Sequence, residues 1–113
     1  MDRAELVRLM VLNSIADDYE NVDQVILRDV AQCLSKRGQT IERREIVNAL
    51  DGLIEDGLAK AYLLSGREPY VTELHGMPAL DVIEEDFRTY FYITQKGKDL
   101  LLSTRSGRST AEG

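Results

Sequence analysis

The sequence has one cysteine, Cys33, and one histidine, His75, in 113 residues. A single thiol cannot form an internal disulfide, and it cannot build a zinc site by itself. No histidine or basic residue with predictable proximity activates Cys33, so it reads as a small buried side chain. His75 stands beside Gly76 and reads as a turn residue. No stretch approaches the roughly 18 apolar residues of a membrane span. The first residues, Met-Asp-Arg-Ala-Glu, carry charge where a signal peptide needs its apolar run. Together these predict a cytoplasmic protein without membrane contact. The chain also lacks a phosphate-binding glycine loop, a nucleophile elbow and a metal-ligand pattern. Glu84, Glu85 and Asp86 form an acidic run with no glycine-centred calcium loop around it. The expectation is a non-enzyme with no cofactor and no metal.

What is present fits one small globular domain. Hydrophobic residues make up 43 % and charged residues 30 % of the chain. The net charge of −6 is unevenly spread. Residues 1–23 carry two basic and six acidic groups, and residues 24–50 carry five basic and three acidic. Residues 51–86 carry two basic and nine acidic, and residues 87–113 carry five basic and two acidic. Two mildly basic stretches therefore flank a strongly acidic one, unlike the footprint of a non-specific nucleic-acid binder.

Hydrophobic spacing predicts a helix over 2–19 whose polar side moves from Glu5 and Arg8 to Asn13, Ser14, Asp17 and Asp18. Val25-Ile26-Leu27 reads as one short strand. A helix over 28–37 follows, with Val30, Ala31 and Leu34 inward and Gly38 as its terminating glycine. Thr40 is the expected N-cap of a second helix over 41–56, with Ile46, Val47, Leu50, Leu53 and Ile54 as its apolar face and Gly57 closing it. Residues 58–64 and 87–93 read as strands, the latter from the alternation of Phe87, Thr89, Phe91 and Ile93 with Arg88, Tyr90 and Tyr92. The insert between them contains Gly66, Pro69, Gly76 and Pro78. Pro78 either starts a short helix with Leu80, Ile83 and Phe87 on one side, or the insert forms a strand hairpin. Thr94 caps a last helix over 95–103, and the Ser-, Thr-, Gly- and Arg-rich remainder to 113 reads as a mobile tail. The fold class is α+β, mostly helical, as a single domain over 1–102.

This order, and two local segments, resemble the winged helix-turn-helix. Leu50-Asp-Gly-Leu-Ile-Glu-Asp-Gly-Leu58 is similar to the end of a recognition helix entering the first wing strand. Tyr92-Ile-Thr-Gln-Lys-Gly-Lys-Asp-Leu-Leu101 resembles the end of the second wing strand and the start of the last helix in MarR-like and PadR-like transcriptional regulators. The resemblance covers roughly residues 5–102, with the wing and its insert at 58–93. It implies binding of double-stranded DNA by a homodimer, with the second helix of the pair in the major groove.

The candidate DNA contacts are Lys36, Arg37, Arg43, Arg44, Asn48, Lys96 and Lys98. Arg44 suits a guanine edge and Asn48 an adenine edge. Glu45 lies near this surface and is unfavourable beside phosphate, and the insert over 66–89 is net acidic. The first helix is apolar around most of its circumference, which predicts that it and Leu100–Leu102 are covered by a second copy of the chain. Tyr90 and Tyr92 share one strand face that Tyr62 can join, a surface chemistry suited to a protein partner. A winged-helix module that holds a protein and not DNA is therefore the alternative.

Overall fold

The computed structural model describes residues 2–78 and 88–112, with side chains through Thr104 in the last helix. Within them four α-helices pack on a three-stranded antiparallel sheet, an α+β arrangement. Helix α1 (Arg3–Ser14) is capped by Asp2, whose carboxylate accepts the Glu5 N–H at 2.9 Å. It buries Val7, Val11 and Leu12. It stops well short of residue 19, because the Ile15 carbonyl leaves the helical pattern to accept the N–H of Ile93 at 3.2 Å.

The chain then meets the last strand. Glu20 and Phe91 exchange two backbone hydrogen bonds, of 3.0 and 2.8 Å, in an isolated antiparallel bridge. The strand expected at Val25–Leu27 is not there. A π-helical turn (Val22–Ile26), capped by the side chain of Asn21, runs directly into helix α2 (Leu27–Ser35). Val22, Ile26, Val30 and Leu34 are all buried, and this four-residue spacing is one helical face. Cys33 lies off that face and is exposed, contrary to its reading as a core side chain.

Helix α3 (Arg43–Glu55) buries Ile46, Ala49, Leu50 and Leu53. Val47 and Ile54, expected on its apolar face, are partly buried against the core. Its N-cap is Glu42 and not Thr40. The Glu45 carboxylate reaches back to accept the Glu42 N–H at 2.9 Å, closing a capping box. Gly38 (φ +69°) and Gly57 (φ +75°) terminate α2 and α3 in the left-handed region that glycine enters without penalty.

Strands β1 (Ala59–Leu64), β2 (Val71–Leu74) and β3 (Thr89–Ile93) are ordered β2-β1-β3. The insert thus contributes β2, an extra strand on the outer side of β1, in line with the hairpin expectation. The helix considered from Pro78 onward falls almost wholly on residues 79–87, outside the described residues. Ala59, Ala61, Phe91 and Ile93 turn inward and are buried, which places the alternation of β3 as expected. Each large apolar side chain so buried contributes about 1.5–3 kcal/mol relative to exposure.

Helix α4 (Gln95–Glu112) continues past residue 103, where the sequence suggested a tail. Its first turn is fixed tightly. The Thr94 hydroxyl donates to the Gly57 carbonyl at 2.7 Å and accepts the Gly97 N–H at 3.1 Å. Gly97 packs so closely that an added Cβ would overlap the Leu58 carbonyl oxygen and lie 2.6 Å from Ile93 Cγ1.

Candidate functional site

The exposed side of α3 is a stripe of Arg44, Asn48, Asp51 and Glu55, spaced by four, three and four residues on one helical face. Across the turn that Gly38 closes, Lys36 and Arg37 are exposed at the end of α2. Arg44 contacts Glu42 at 3.3 Å, but the two side chains are 80 % and 72 % exposed, so this pair yields readily to another anion.

Glu45 is held away from that role. Its carboxylate accepts two bonds from the Arg3 guanidinium, at 2.9 and 3.2 Å, besides the capping bond from Glu42. The hydrogen bond from Arg3, then that from the Glu42 backbone, hold its carboxyl below the usual carboxylate range. Arg3 also donates to the Thr40 carbonyl at 2.5 Å and to Gln39 at 3.3 Å, so it ties α1 to the turn. Nothing in the sequence separates Arg3 from any other exposed arginine, and its role emerges only when α1 lies on α3.

Three other cations of the expected set are engaged within the chain. Arg43 binds Asp23 at 2.5 and 3.2 Å, with side chains only 20 % and 9 % exposed, and joins α3 to the π-helical turn. Lys96 donates to the Asp56 carbonyl at 2.8 Å and satisfies the C-terminal end of α3. Lys98 sits over the Tyr92 ring, 5.4 Å from its centroid. Asp56 is about 18 Å along the helix axis from Arg44, so Lys96 belongs to the far end of α3. The structure therefore leaves Arg44 and Asn48 exposed on α3, leaves Lys36 and Arg37 exposed before the turn, where they line a groove between α1 and α2, and commits Arg43, Lys96 and Lys98 to contacts within the chain.

A second surface lies on the outer side of the sheet. Tyr62 on β1 pairs directly with Tyr90 on β3, and Tyr92 stands opposite Lys60. Tyr19, which the sequence placed inside the first helix, joins them from the loop before the Glu20 bridge. Its ring stacks on Tyr92 at 4.9 Å and meets Tyr62 edge-on at 5.0 Å. Burial, then the neighbouring Tyr19 and Glu73, raise the Tyr62 hydroxyl above its ordinary value. Lys60 holds Glu73 at 3.1 Å across β1 and β2.

A groove of about 1000 Å³ runs between α1 and α2, with Leu6, Leu9 and Met10 on one wall and Cys33 on the other. Leu100 and Leu102 of α4 are 39 % and 59 % exposed. Among the described residues no group of acidic, Cys and His side chains could hold a metal ion, and no helix is long and apolar enough to cross a membrane. No family model, curated protein or solved structure matches this chain.

Proposed function

We propose that the chain is a winged helix-turn-helix domain that binds double-stranded DNA as a homodimer and regulates transcription. The observation that carries this reading is the polar stripe of α3. Arg44 and Asn48 stand on the exposed side in its N-terminal half, opposite the buried Ile46, Leu50 and Leu53, with Lys36 and Arg37 across the turn. That half is the part a recognition helix offers to base edges. The pairing of Glu45 with Arg3 offsets the negative charge that would oppose a phosphate there. The order of elements, with the Glu20 bridge beside β3, fits the same reading. The partly covered Leu6, Leu9 and Met10 of α1 and the exposed Leu100 and Leu102 of α4 supply apolar surface for a second copy.

With Arg44 on a base edge, Lys36 and Arg37 of two chains neutralise about four phosphates, giving a slope of log affinity against log salt of roughly −4. Selection from random duplex DNA at about 50 mM salt, followed by anisotropy titrations, tests this. Arg44→Ala is expected to cost about 1–3 kcal/mol and to relax preference at one position, and Lys36→Ala to weaken all sequences alike. Sedimentation equilibrium at micromolar concentration is expected to report a dimer. Absence of any selected sequence overturns the DNA reading, and a clean monomer overturns its two-fold form.

A further inference from the structure

Two arginines of α1 clamp it to opposite ends of α3. Arg3 holds Glu45 in the first turn, and Arg8 contacts the side chain of Asp56, the C-cap, at 2.5 Å. The two clamped acids differ in what lies beside them. Asp56 stands beyond the last turn of α3, whereas Glu45 precedes Asn48 by three residues, the spacing at which two side chains of one helix meet. Arg3, Glu45 and Asn48 line one slot of about 410 Å³ between α1 and α3, with Ala4, Val7 and Ala49 as its apolar part. Asn48 is exposed, and among the described residues its amide has no hydrogen-bond partner. Arg3 alone keeps the neighbouring acid turned toward α1. Its guanidinium donates to both Glu45 oxygens, to the Gln39 side chain and to the Thr40 carbonyl, so its planar fork is oriented from both sides. The charge of Arg44 acts on Glu45 in the same direction as Arg3, which places this carboxylate within reach of the polar stripe.

We propose that Arg3 is a positioning residue for base reading, because it withholds the Glu45 carboxylate from Asn48. The inference rests on the DNA reading of α3. A bidentate contact with adenine needs both the Nδ2 donor and the Oδ1 acceptor of Asn48. Without Arg3, one oxygen of Glu45 keeps the capping bond from the Glu42 N–H, and the other turns along the helix and accepts from Asn48 Nδ2. An amide held in this way is turned from the base and has lost its donor. Arg3 thus acts through Glu45 and touches no base itself.

The test uses the full chain, labelled with ¹⁵N, and follows the side-chain amide signals of Asn48 through the acid range. In the unaltered protein these signals are expected not to follow the titration of Glu45. In Arg3→Gln they are expected to shift and to follow it. Adding Glu45→Gln is expected to abolish that response, since glutamine still caps the helix and carries no charge. On the selected duplex, Arg3→Gln is expected to lose about tenfold in discrimination at the base that Asn48 reads, and the double substitution to regain it. Arg8→Gln opens the other clamp and is expected to do neither. A role in stability alone predicts no such rescue, because the double variant lacks the Arg3 clamp too. Asn48 signals in Arg3→Gln that ignore Glu45, the same response in Arg8→Gln, or discrimination that Glu45→Gln does not restore overturns the proposal. If no duplex is selected, the DNA reading falls, while the amide signals alone still decide whether Arg3 withholds Glu45.

Discussion

The chain ends two helices with the same backbone device and then uses the two ends differently. After α2, the Gly38 N–H donates to Ser35 at 3.0 Å and the Gln39 N–H to Leu34 at 3.0 Å. After α3, the Gly57 N–H donates to Ile54 at 3.0 Å and the Leu58 N–H to Leu53 at 2.8 Å. Both are glycine closures in which the residue after the glycine reaches back over the last turn. That following residue makes the difference. Gln39 is exposed, and a Cβ on Gly38 would meet nothing within 4 Å. Leu58 is buried, and its turn is gripped by Thr94, Lys96 and Gly97 at the start of α4. A polar residue keeps one turn at the surface, where Arg3 holds Gln39 and Thr40, whereas a leucine makes the other the root of the sheet.

This contrast can be broken most severely at Gly97. Gly97→Ala drives a methyl group into the Leu58 carbonyl and Ile93, neither of which can move aside cheaply, and is expected to cost about 3 kcal/mol in urea unfolding. Leu58→Gln is next, at about 2 kcal/mol, because it removes buried apolar surface and brings an amide into the same space. Gln39→Leu, the mirror exchange, is expected to leave stability within about 0.5 kcal/mol. Gly38→Ala and Gly57→Ala sharpen the comparison from the other side. Both positions have positive φ and room for a methyl, so each is expected to cost about 1 kcal/mol from backbone strain alone. A Gly57→Ala cost several times that of Gly38→Ala contradicts the view that the backbones are equivalent.

The smallest effect separates two acids by sign. The Glu45 carboxyl is depressed by Arg3, so its contribution is present above the unfolded carboxylate pKa and is lost as pH falls through the lower folded value. Glu45→Gln is expected to lower Tm at pH 7 by about 2 °C or less, as for an exposed pair, with the difference vanishing in acid. Glu20 is shifted upward, so its ionised form opposes folding once pH rises through the window between its unfolded and folded values. Glu20→Gln is expected to raise Tm slightly at pH 7. Thermal melts of both variants across the acid range check the opposed signs.

Much of the helical frame is readable from the residues. Gly38 and Gly57 mark true helix ends, and Thr94 is a true cap because its hydroxyl serves both Gly57 and Gly97. Local β-propensity misled at Val25-Ile26-Leu27, where the longer pattern Val22, Ile26, Val30, Leu34 already carried the helical period. The cap of α3 was legible as Glu42 followed three residues later by Glu45, but Thr40 is the more usual capping type. The site was less legible. Whether an arginine is exposed or engaged depends on what the fold brings opposite it. Arg43 and Arg44 are neighbours in sequence, yet one is folded onto Asp23 and the other stands in solvent. Tyr19 joins Tyr62 and Tyr92 only through the distant pairing of Glu20 with Phe91.

That pairing also orders events during synthesis. The end of α1 and the Glu20 backbone have their hydrogen-bond partners, Ile93 and Phe91, on β3, about two thirds of the chain later. A nascent chain stalled before Thr89 holds those groups on water, and the inner face that Phe91 covers stays open. Until the last strand leaves the ribosome, its first segment keeps apolar surface exposed, the condition that favours misassociation.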